Sequence, residues 1–237
     1  MKAVLLAAGL GTRLKPLTAE LPKCLVPING RPLMSYWIDS LKKCGIDEVL
    51  VNMHSHANQV QEFINRYDLS GFVHTVYEEV LLGTGGTLLK NQSFFGDEAF
   101  LVIHADNLCF ADLSEFMKAH NTRPARTMIT MLTFVTNFPK DAGIVEIDDD
   151  GIVRCLHEKT PNAAGRIANG AVYIFEHAVL MECIQRKYPM PVDISTQVLP
   201  SFLGRIFSWP TDNVHIDIGT PQRLKEAQLL VESSRIH

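Results

Sequence analysis

The chain has 237 residues, 46% of them apolar, and its mean hydropathy is slightly positive at +0.07. This composition excludes a disordered chain, and the formal net charge of −4 argues against nucleic acid or an anionic membrane as a partner. No apolar stretch reaches the roughly 20 residues that span a bilayer, so no membrane partner is expected.

The cysteines and histidines predict neither a disulfide framework nor a zinc site. Five cysteines are scattered along the chain without a C-x-x-C pair, which favours a reducing, cytoplasmic location. His54 and His56 would share a strand face, but no third ligand lies near them in the sequence. The apolar N-terminus resembles a short signal peptide, yet a basic loop follows it instead of a cleavage site, so we interpret it as a buried strand.

The first half of the chain alternates predicted strands and helices. The apolar run at residues 3–8 is typical of a buried strand, and apolar side chains at helical spacing before Gly45 predict a helix at 33–44. The next predicted elements are a strand at 48–53, a helix at 58–67, strands at 72–77 and 99–104, and a helix at 112–120. This order predicts an α/β fold with a mostly parallel, doubly wound, Rossmann-like sheet.

The second half is richer in predicted strands. Residues 126–136 are β-prone, and Asp150-Gly151 between apolar segments at 143–147 and 152–156 predicts a hairpin. The remaining predicted elements are a strand at 170–175, helices at 178–186 and 194–203, and a last helix that begins at Thr220-Pro221. Without a linker or repeat, we expect one domain over residues 1–237, with a first part to about residue 122 and a small strand-rich lobe from about 123.

The loop after the first strand is suited to a polyphosphate. Gly9 and Gly11 allow backbone N–H groups to approach an anion, Arg13 offers a bidentate fork, and Lys23 adds a point charge. The loop matches neither the Walker pattern nor the dinucleotide fingerprint. Because ligands bind outside the carboxyl ends of parallel strands, we expect Asp106, which follows the strand at 99–104, to meet this loop.

Five sequence blocks in order resemble the sugar-1-phosphate nucleotidyltransferases. They are Leu6 to Thr18, Pro22 to Pro27, Leu82-Gly83-Thr84-Gly85-Gly86, Glu158-Lys159, and Asp217-Ile218-Gly219-Thr220-Pro221. The resemblance implies a reaction between a nucleoside triphosphate and a sugar 1-phosphate, in which the sugar phosphate attacks the α-phosphorus in line and pyrophosphate leaves. It also implies that the first part of the domain binds the nucleotide and the second part binds the sugar phosphate.

The resemblance implies a set of nucleotide-binding residues. They are Leu6, Ala7, Ala8, Gly9, Gly11, Thr12, Arg13, Lys23, Glu79, Gly83, Thr84 and Gly85. Arg13 and Lys23 are the predicted catalytic residues: Arg13 is expected to bind the β- and γ-phosphates, and Lys23 the α-phosphate side. The structural alternatives are a solvated basic loop, a glycine-rich turn at residues 82–86, and an exposed strand-end carboxylate at Glu79. Lys15 is expected to be solvated.

The resemblance makes Asp106 and Asp217 the predicted magnesium ligands. The matching aspartates of the family bind Mg²⁺, and both residues are expected at strand ends before turns. The alternatives are a turn residue for Asp106 and a helix N-cap for Asp217, although Thr220 fits the N-cap better. Ala105 stands where the family usually has glycine, and its methyl group is expected to narrow the substrate pocket.

A third set of residues is assigned to the sugar phosphate. It consists of Asn107, Gly143, Glu158, Lys159 and Asn169. In the family, the lysine holds the sugar's phosphate, the glutamate meets sugar hydroxyls, and the glycine lies against the sugar ring. Thr160 stands where the family has proline after this lysine. The alternative for Glu158-Lys159 is a solvated ion pair.

The blocks favour a GTP-dependent mannose- or heptose-1-phosphate guanylyltransferase that supplies precursors of polysaccharides or cell-surface glycans. The alternatives are uridylyl transfer to an amino-sugar phosphate, thymidylyl transfer to another sugar phosphate, and cytidylyl transfer to a small-molecule phosphate such as phosphocholine. A hypothesis from another class is a catalytically silent regulatory subunit. Such a subunit would be expected to lack the charged site residues, but all of them are present: Arg13, Lys23, Asp106, Lys159 and Asp217. The resemblance leaves open whether the chain forms a homo-oligomer.

Overall fold

The computed structural model describes residues 1–160 and 165–234. The strands are β1 (Ala3–Leu6), β2 (Pro27–Ile28), β3 (Arg31–Pro32), β4 (Val49–Met53), β5 (Val73–Tyr77), β6 (Phe100–His104), β7 (Asn107–Cys109), β8 (Ile129–Val135), β9 (Gly143–Ile147), β10 (Val153–Glu158), β11 (Ile167–Phe175), β12 (Ile206–Thr211) and β13 (His215–Asp217). The helices are α1 (Leu17–Glu20), α2 (Leu33–Lys43), α3 (Ala57–Arg66), α4 (Thr84–Lys90), α5 (Gln92–Phe95), α6 (Leu113–Thr122), α7 (His177–Arg186) and α8 (Pro221–Ser234). Among these residues, no helix combines the length and the apolar character that crossing a membrane requires.

The chain forms two compact units, each built from separate segments. We call Lys2–Leu81, His104–Asp112 and Asn213–His237 the terminal unit, and Met1, Leu82–Ile103 and Leu113–Asp212 the central unit. Both units combine segments from either side of residue 122, and the single nucleotidyltransferase domain stays a prediction.

The terminal unit contains three neighbouring parallel strands. β1 pairs with β4 and β4 with β5, all in parallel register, so the carboxyl ends of these strands share one edge. β1 and β4 are buried along their whole length. This is typical of parallel strands that are covered on both faces of the sheet. A hydrophobic cluster centred on Leu33, Ile28 and Ile218 packs α2 and α8 against β2 and β13. The α/β class predicted for this part is confirmed.

The central unit is a mixed sheet. β11 pairs antiparallel with β6, β8 and β9, β9 pairs antiparallel with β10, and β12 runs parallel to β8. The predicted hairpin is therefore confirmed as β9–β10, and Gly151 adopts the positive φ of 77° that its turn requires. The parallel strand β12 was not predicted, because its sequence is short and interrupted by Pro210.

The helix predicted at 194–203 is wrong as a regular α-helix. The segment folds as a π-helical turn at Ile194–Val198 followed by a 3₁₀ turn at Leu199–Phe202. Pro200 has no N–H to donate, so a regular α-helical ladder cannot run through this segment. Asp193 caps the start instead, because its carboxylate accepts the Thr196 N–H at 2.9 Å.

Stability in mild acid should depend on the buried His120 of the central unit. Burial, helped by the nearby Arg123 and opposed by Glu176, lowers the pKa of His120 from 6.5 to about 4. The unfolded chain therefore binds a proton that the folded chain does not, and the free energy of unfolding should fall by about 2 kcal/mol from pH 8 to pH 5 through this group. Urea unfolding of the wild type and of His120→Asn at both pH values measures the difference.

The control for this prediction is His74→Asn, which removes an exposed imidazole beside Glu48. Its urea unfolding is compared with that of the wild type and of His120→Asn at the same two pH values. An equal loss of stability in acid for His120→Asn and the wild type would contradict the assignment.

Candidate active site

Lys23 lies between two carboxylates that the chain brings together from distant positions. Its Nζ donates to Asp106 Oδ2 at 2.6 Å and to Asp217 Oδ1 at 2.9 Å. The lysine side chain is only 7% exposed, whereas the two aspartates are 40% and 46% exposed. The cluster is thus anchored by a buried cation and offers its carboxylates to solvent on the other side.

The backbone fixes the two aspartates side by side. Asp106 lies in the turn after β6, where the neighbouring Ala105 N–H donates to Leu6 O at 3.1 Å at the end of β1. Asp217 is the last residue of β13, and it pairs across an antiparallel bridge with Asn107, the residue after Asp106. Asp217 therefore lies at a strand end as predicted, whereas Asp106 lies two residues after the end of β6, in a turn, which was the alternative for this residue. Strands β7 and β13 themselves were not predicted.

The opposite charges of the cluster stabilise each other's ionised forms. Burial acts most strongly on Lys23 and would lower its pKa, but Asp106 and Asp217 together outweigh burial, so the pKa of Lys23 is raised above 10.5. Burial likewise opposes ionisation of Asp106, yet Lys23 and His104 hold the pKa of that carboxyl below 3.8. Lys23 and Asp106 are consequently both charged at neutral pH.

Arg13 joins the cluster from the loop after β1. Its guanidinium lies 3.6 Å from Asp217 Oδ2, and the Arg13 side chain as a whole is 58% exposed to solvent. Gly219 makes room for this approach, because a Cβ at that position would lie 2.7 Å from Arg13 Nη2 and 2.9 Å from Asp217 Oδ1. A side chain at position 219, in the fifth sequence block, would therefore force Arg13 or Asp217 to move.

The loop after β1 is stabilised by a side-chain hydrogen bond to the backbone of Gly11. Gly11 adopts a φ of 60°, and its carbonyl accepts a hydrogen bond from Thr18 Oγ1 at 2.7 Å. A Cβ on Gly11 would lie 2.9 Å from Thr18 Cγ2, so only glycine fits there without a shift. Gly9, Thr12 and Arg13 are exposed at the surface, whereas the predicted nucleotide-binding residues Leu6 and Ala8 are buried.

Two buried polar residues that the sequence analysis missed support this loop. Asn52 Oδ1 accepts the Ala7 N–H at 2.7 Å, and its amide donates to Glu78 Oε1 at 2.9 Å. A polar residue inside the apolar strand β4 was the signal that could have revealed Asn52. Glu78 is buried whereas the predicted Glu79 is exposed, so it is Glu78 that connects β5 to the loop.

Two other predicted residues of the terminal unit are buried. Asn107 is 5% exposed, and its carbonyl accepts the Trp37 indole N–H at 2.8 Å. Ala105 is fully buried, so its methyl group lies inside the fold and not on an exposed pocket wall. The expected narrowing of the substrate pocket by this methyl group is therefore not supported. Lys15 is exposed, as expected for a solvated side chain.

The second glycine block lies in the central unit and packs against another backbone segment. α4 begins at Thr84, directly after Gly83. The N–H groups of Gly85 and Gly86 donate to Val192 O at 2.8 and 3.2 Å, and Thr84 Oγ1 donates to Asp193 at 3.1 Å. These glycines therefore permit a close contact with the segment that carries Val192, whatever they also contribute to nucleotide binding.

Gly83→Ala should destabilise the central unit by about 3 kcal/mol. Gly83 has a φ of 77°, and a Cβ there would lie 2.3 Å from Val192 O. Gly71→Ala is the matched control, because a Cβ at that glycine meets no atom within 4 Å. Chemical unfolding of both variants measures the effect, and equal stability of the two would contradict the steric account.

The remaining predicted sugar-phosphate residues lie in the central unit: Gly143 on β9, Glu158 on β10 with Lys159 directly after it, and Asn169 on β11. Gly143 faces Glu158 across the hairpin, and a Cβ there would lie 2.6 Å from Glu158 Oε2. Lys159 Nζ lies 3.5 Å from Glu158 Oε1. Asn169 donates to the Tyr173 hydroxyl at 2.8 Å and accepts the Ala171 N–H at 2.9 Å. Gly143, Glu158 and Lys159 therefore form one group.

The donor set of Asp106 and Asp217 fits a hard divalent cation. Both carboxylates reach one Nζ, so small rotations would bring their oxygens to one ion. Carboxylate oxygens are the ligands that Mg²⁺ prefers, and it commonly takes only one or two from the protein and completes its shell with water and phosphate. In the structure the ammonium of Lys23 satisfies these oxygens.

Comparison with known proteins gives the same family as the sequence blocks. The family model described as Nucleotidyl transferase matches residues 2–234. Mannose-1-phosphate guanylyltransferase catalytic subunit beta of Dictyostelium discoideum is 29% identical over 94% of this chain and 62% of that protein. D-glycero-alpha-D-manno-heptose 1-phosphate guanylyltransferase of Aneurinibacillus thermoaerophilus is 30% identical over 96% of this chain and 97% of that protein.

A third relative carries a different nucleotide in its name. UTP–glucose-1-phosphate uridylyltransferase of Synechocystis sp. is 31% identical over 76% of this chain and 50% of that protein. The chain thus spans only 62% of the Dictyostelium protein and 50% of the Synechocystis protein.

Solved structures share the fold. HddC from Yersinia pseudotuberculosis complexed with GMP-PN aligns with a TM-score of 0.80 at 25% identity, covering 97% of this chain and 98% of that chain. A UDP-glucose pyrophosphorylase complexed with UDP-glucose aligns with a TM-score of 0.82 at 19% identity, over 99% of both chains, which shows the fold alone. The predicted Rossmann-like class is confirmed. The chain therefore belongs to the nucleotidyl transferase family, a family of enzymes, and within it to the sugar-1-phosphate nucleotidyltransferases.

Proposed function

We propose that the chain transfers a nucleotidyl group from a nucleoside triphosphate to a sugar 1-phosphate and releases pyrophosphate. The observation that carries the proposal is the cluster of Lys23, Asp106, Asp217 and Arg13 in the terminal unit. Two polyanions repel each other, so their reaction requires fixed cations and a metal site where the phosphates meet. The cluster offers both within one group of side chains.

Each residue of the cluster has a distinct part in the proposal. The exposed guanidinium of Arg13 binds two oxygens of the β- and γ-phosphates and stabilises the departing pyrophosphate. Lys23 turns its ammonium from the carboxylates toward the α-phosphate when the triphosphate binds. Backbone N–H groups around Gly9 and Gly11 contact the phosphate oxygens, and the Asn52–Glu78 pair keeps the loop in place for them.

Asp106 and Asp217 are the proposed metal ligands. Nucleotidyltransferases of this family generally use a divalent metal. We propose Mg²⁺, because the two side chains offer only carboxylate oxygens. When bound, the ion neutralises charge on the phosphates in the transition state. The family resemblance assigns the sugar phosphate to Asn107, Gly143, Glu158, Lys159 and Asn169, and their role belongs to the proposal.

GTP with a mannose- or heptose-type 1-phosphate is the proposed substrate pair. The block at residues 82–86 supports it, as do two relatives named as guanylyltransferases and the structural neighbour complexed with GMP-PN. The alternative is uridylyl transfer, which the relative named as a uridylyltransferase favours. A silent regulatory subunit is disfavoured because Arg13, Lys23 and both aspartates are present and lie together.

Pyrophosphate release tests the proposal directly. The purified chain is incubated with each of the four nucleoside triphosphates, Mg²⁺ and a panel of sugar 1-phosphates, including mannose, heptose, glucose and amino-sugar phosphates. We expect release with GTP and mannose or heptose 1-phosphate. Release with another pair would replace the substrate assignment, and no release with any pair would overturn the proposed activity.

Arg13→Lys should lower kcat/KM by about 10- to 100-fold although the charge is kept. Lysine is a point donor that cannot bind two phosphate oxygens as a planar fork, and it interacts differently with Asp217. Steady-state pyrophosphate release measures the loss. Arg31→Lys is the control, because Arg31 forms an exposed ion pair with Asp39 in the same unit. An unchanged rate in Arg13→Lys would contradict the role of the fork.

A further inference from the structure

A second group of metal-binding side chains lies on the β9–β10 hairpin of the central unit. Glu146, Cys155 and His157 place one carboxylate oxygen, one sulfur and one ring nitrogen within 4.8 Å of one another. His157 Nε2 lies 2.6 Å from Glu146 Oε1, so two of the three groups already touch. Within the described parts of the chain, no other group of three or more such side chains converges this closely.

The strand register explains why the three side chains share a face. The pairing of β9 and β10 shifts between Val153 and Cys155, and the shift sets Cys155 directly opposite Glu146. Cys155 and His157 are two residues apart on β10, so their side chains point to the same side. Without the shift, Cys155 would not be paired with Glu146.

The group lies on the opposite face of the hairpin from the predicted sugar-phosphate residues. Side chains alternate along a strand, so Glu158 and Leu156 point away from the side of Cys155 and His157. Gly143 belongs to the Glu158 face, because a Cβ there would meet Glu158 Oε2 at 2.6 Å and Leu156 Cδ1 at 3.4 Å. An ion on the Cys155 face would therefore leave the Gly143–Glu158 face open.

The accessibility of the thiol suits metal binding. Cys155 is half-buried, and His157 and Glu146 are 36% and 53% exposed at the side chain, so an ion could reach all three. Three other cysteines are enclosed: burial raises the pKa of Cys24 and of Cys109 to about 12 and that of Cys183 to about 11. Cys44 is half-buried but is not part of such a group.

We propose that Glu146, Cys155 and His157 form a binding site for a zinc-like divalent ion on the hairpin. Thiolate, imidazole and carboxylate are the three ligand types that zinc combines in proteins, and a fourth position stays open to water. Binding releases the thiol proton to solvent, and the thiolate and the carboxylate then balance the charge of the ion. The thiolate and imidazole favour zinc-like ions over Mg²⁺, which prefers oxygen ligands.

Cobalt substitution in the full chain tests the site without any activity measurement. Titration of the metal-free protein with Co²⁺ should produce a thiolate-to-cobalt charge-transfer band at one equivalent, and Zn²⁺ should displace it. The band should disappear in Cys155→Ser, weaken at least about 10-fold in apparent affinity in His157→Ala and Glu146→Gln, and persist in Cys44→Ser. Asp106 and Asp217 carry no thiol, so cobalt bound there gives no such band.

A thermal measurement gives an independent readout. Zn²⁺ at about 100 times its dissociation constant should raise the Tm of the wild type by roughly 5 to 10 °C and leave Cys155→Ser unchanged. Absence of the charge-transfer band in the wild type, or its survival in Cys155→Ser, overturns the proposal. Should Cys155→Ser fail to fold, His157→Ala decides, because an undiminished band in that variant also overturns it.

Discussion

Asp106→Asn should reduce kcat/KM for pyrophosphate release by at least about 1000-fold. The substitution removes one of the two carboxylates that can bind the metal ion. With the ion bound more weakly, the negative charge on the phosphates in the transition state is less well neutralised. The amide keeps the size of the side chain and can still contact Lys23. Because the Asp106 side chain is 40% exposed, we expect the free energy of unfolding to change by only about 1 kcal/mol or less.

The control and the metal dependence make this prediction specific. Asp39→Asn removes an ion-paired carboxylate of the same unit that lies outside the cluster, and its rate should equal that of the wild type. The Mg²⁺ concentration for half-maximal activity should rise in Asp217→Asn, which keeps Asp106. More than about a tenth of wild-type activity in Asp106→Asn, with the fold intact, would remove this residue from the metal site.

Lys23→Met should have opposite effects on turnover and on metal binding. Turnover should fall by about 100- to 1000-fold, because the cation proposed for the α-phosphate is lost. The two carboxylates then lack the ammonium that holds them at 2.6 and 2.9 Å, and a divalent ion no longer competes with it. We therefore expect Mg²⁺ alone to raise the Tm of Lys23→Met more than that of the wild type.

The same variant should be less stable in the absence of metal. Lys23 is buried but its partners are partly hydrated, so we expect a loss of about 1–2 kcal/mol, between the values of exposed and buried ion pairs. In the wild type, the fold lowers the pKa of Asp106 below its ordinary value of 3.8. The ionised Asp106 carboxylate therefore stabilises the fold above pH 3.8, and this stabilisation is lost as the pH falls below that value.

Lys15→Met serves as the matched control for Lys23→Met. Lys15 is an exposed lysine of the same loop. Its replacement should leave both the rate and the magnesium-induced change in Tm near those of the wild type. If Lys23→Met kept full turnover, or if Mg²⁺ stabilised it less than the wild type, the proposed exchange of ammonium and metal at the two aspartates would be wrong.

The amino-acid sequence was sufficient to predict most of the strands and helices, whereas the phosphate chemistry of the first loop stays a prediction. The continuous apolar runs correspond to β1 and β4, the helical spacing before Gly45 to α2, and the Asp-Gly turn to the β9–β10 hairpin. Local patterns suffice in these cases because burial on one face, turn geometry and capping act over a few residues. The segment after Asp193 was mispredicted, because Pro200 disrupts a regular helix while the apolar spacing still resembles one.

Only the tertiary structure decided which charged groups touch. Lys23 bonds to aspartates 83 and 194 positions away, and no local pattern encodes contacts across such separations. Glu78 and Glu79 are chemically identical neighbours, and the fold alone buries the first against Asn52 and exposes the second. The same holds for Cys155, since a one-residue shift in strand register places it opposite Glu146. Residue types determine the available chemistry, whereas register and chain path determine which groups meet.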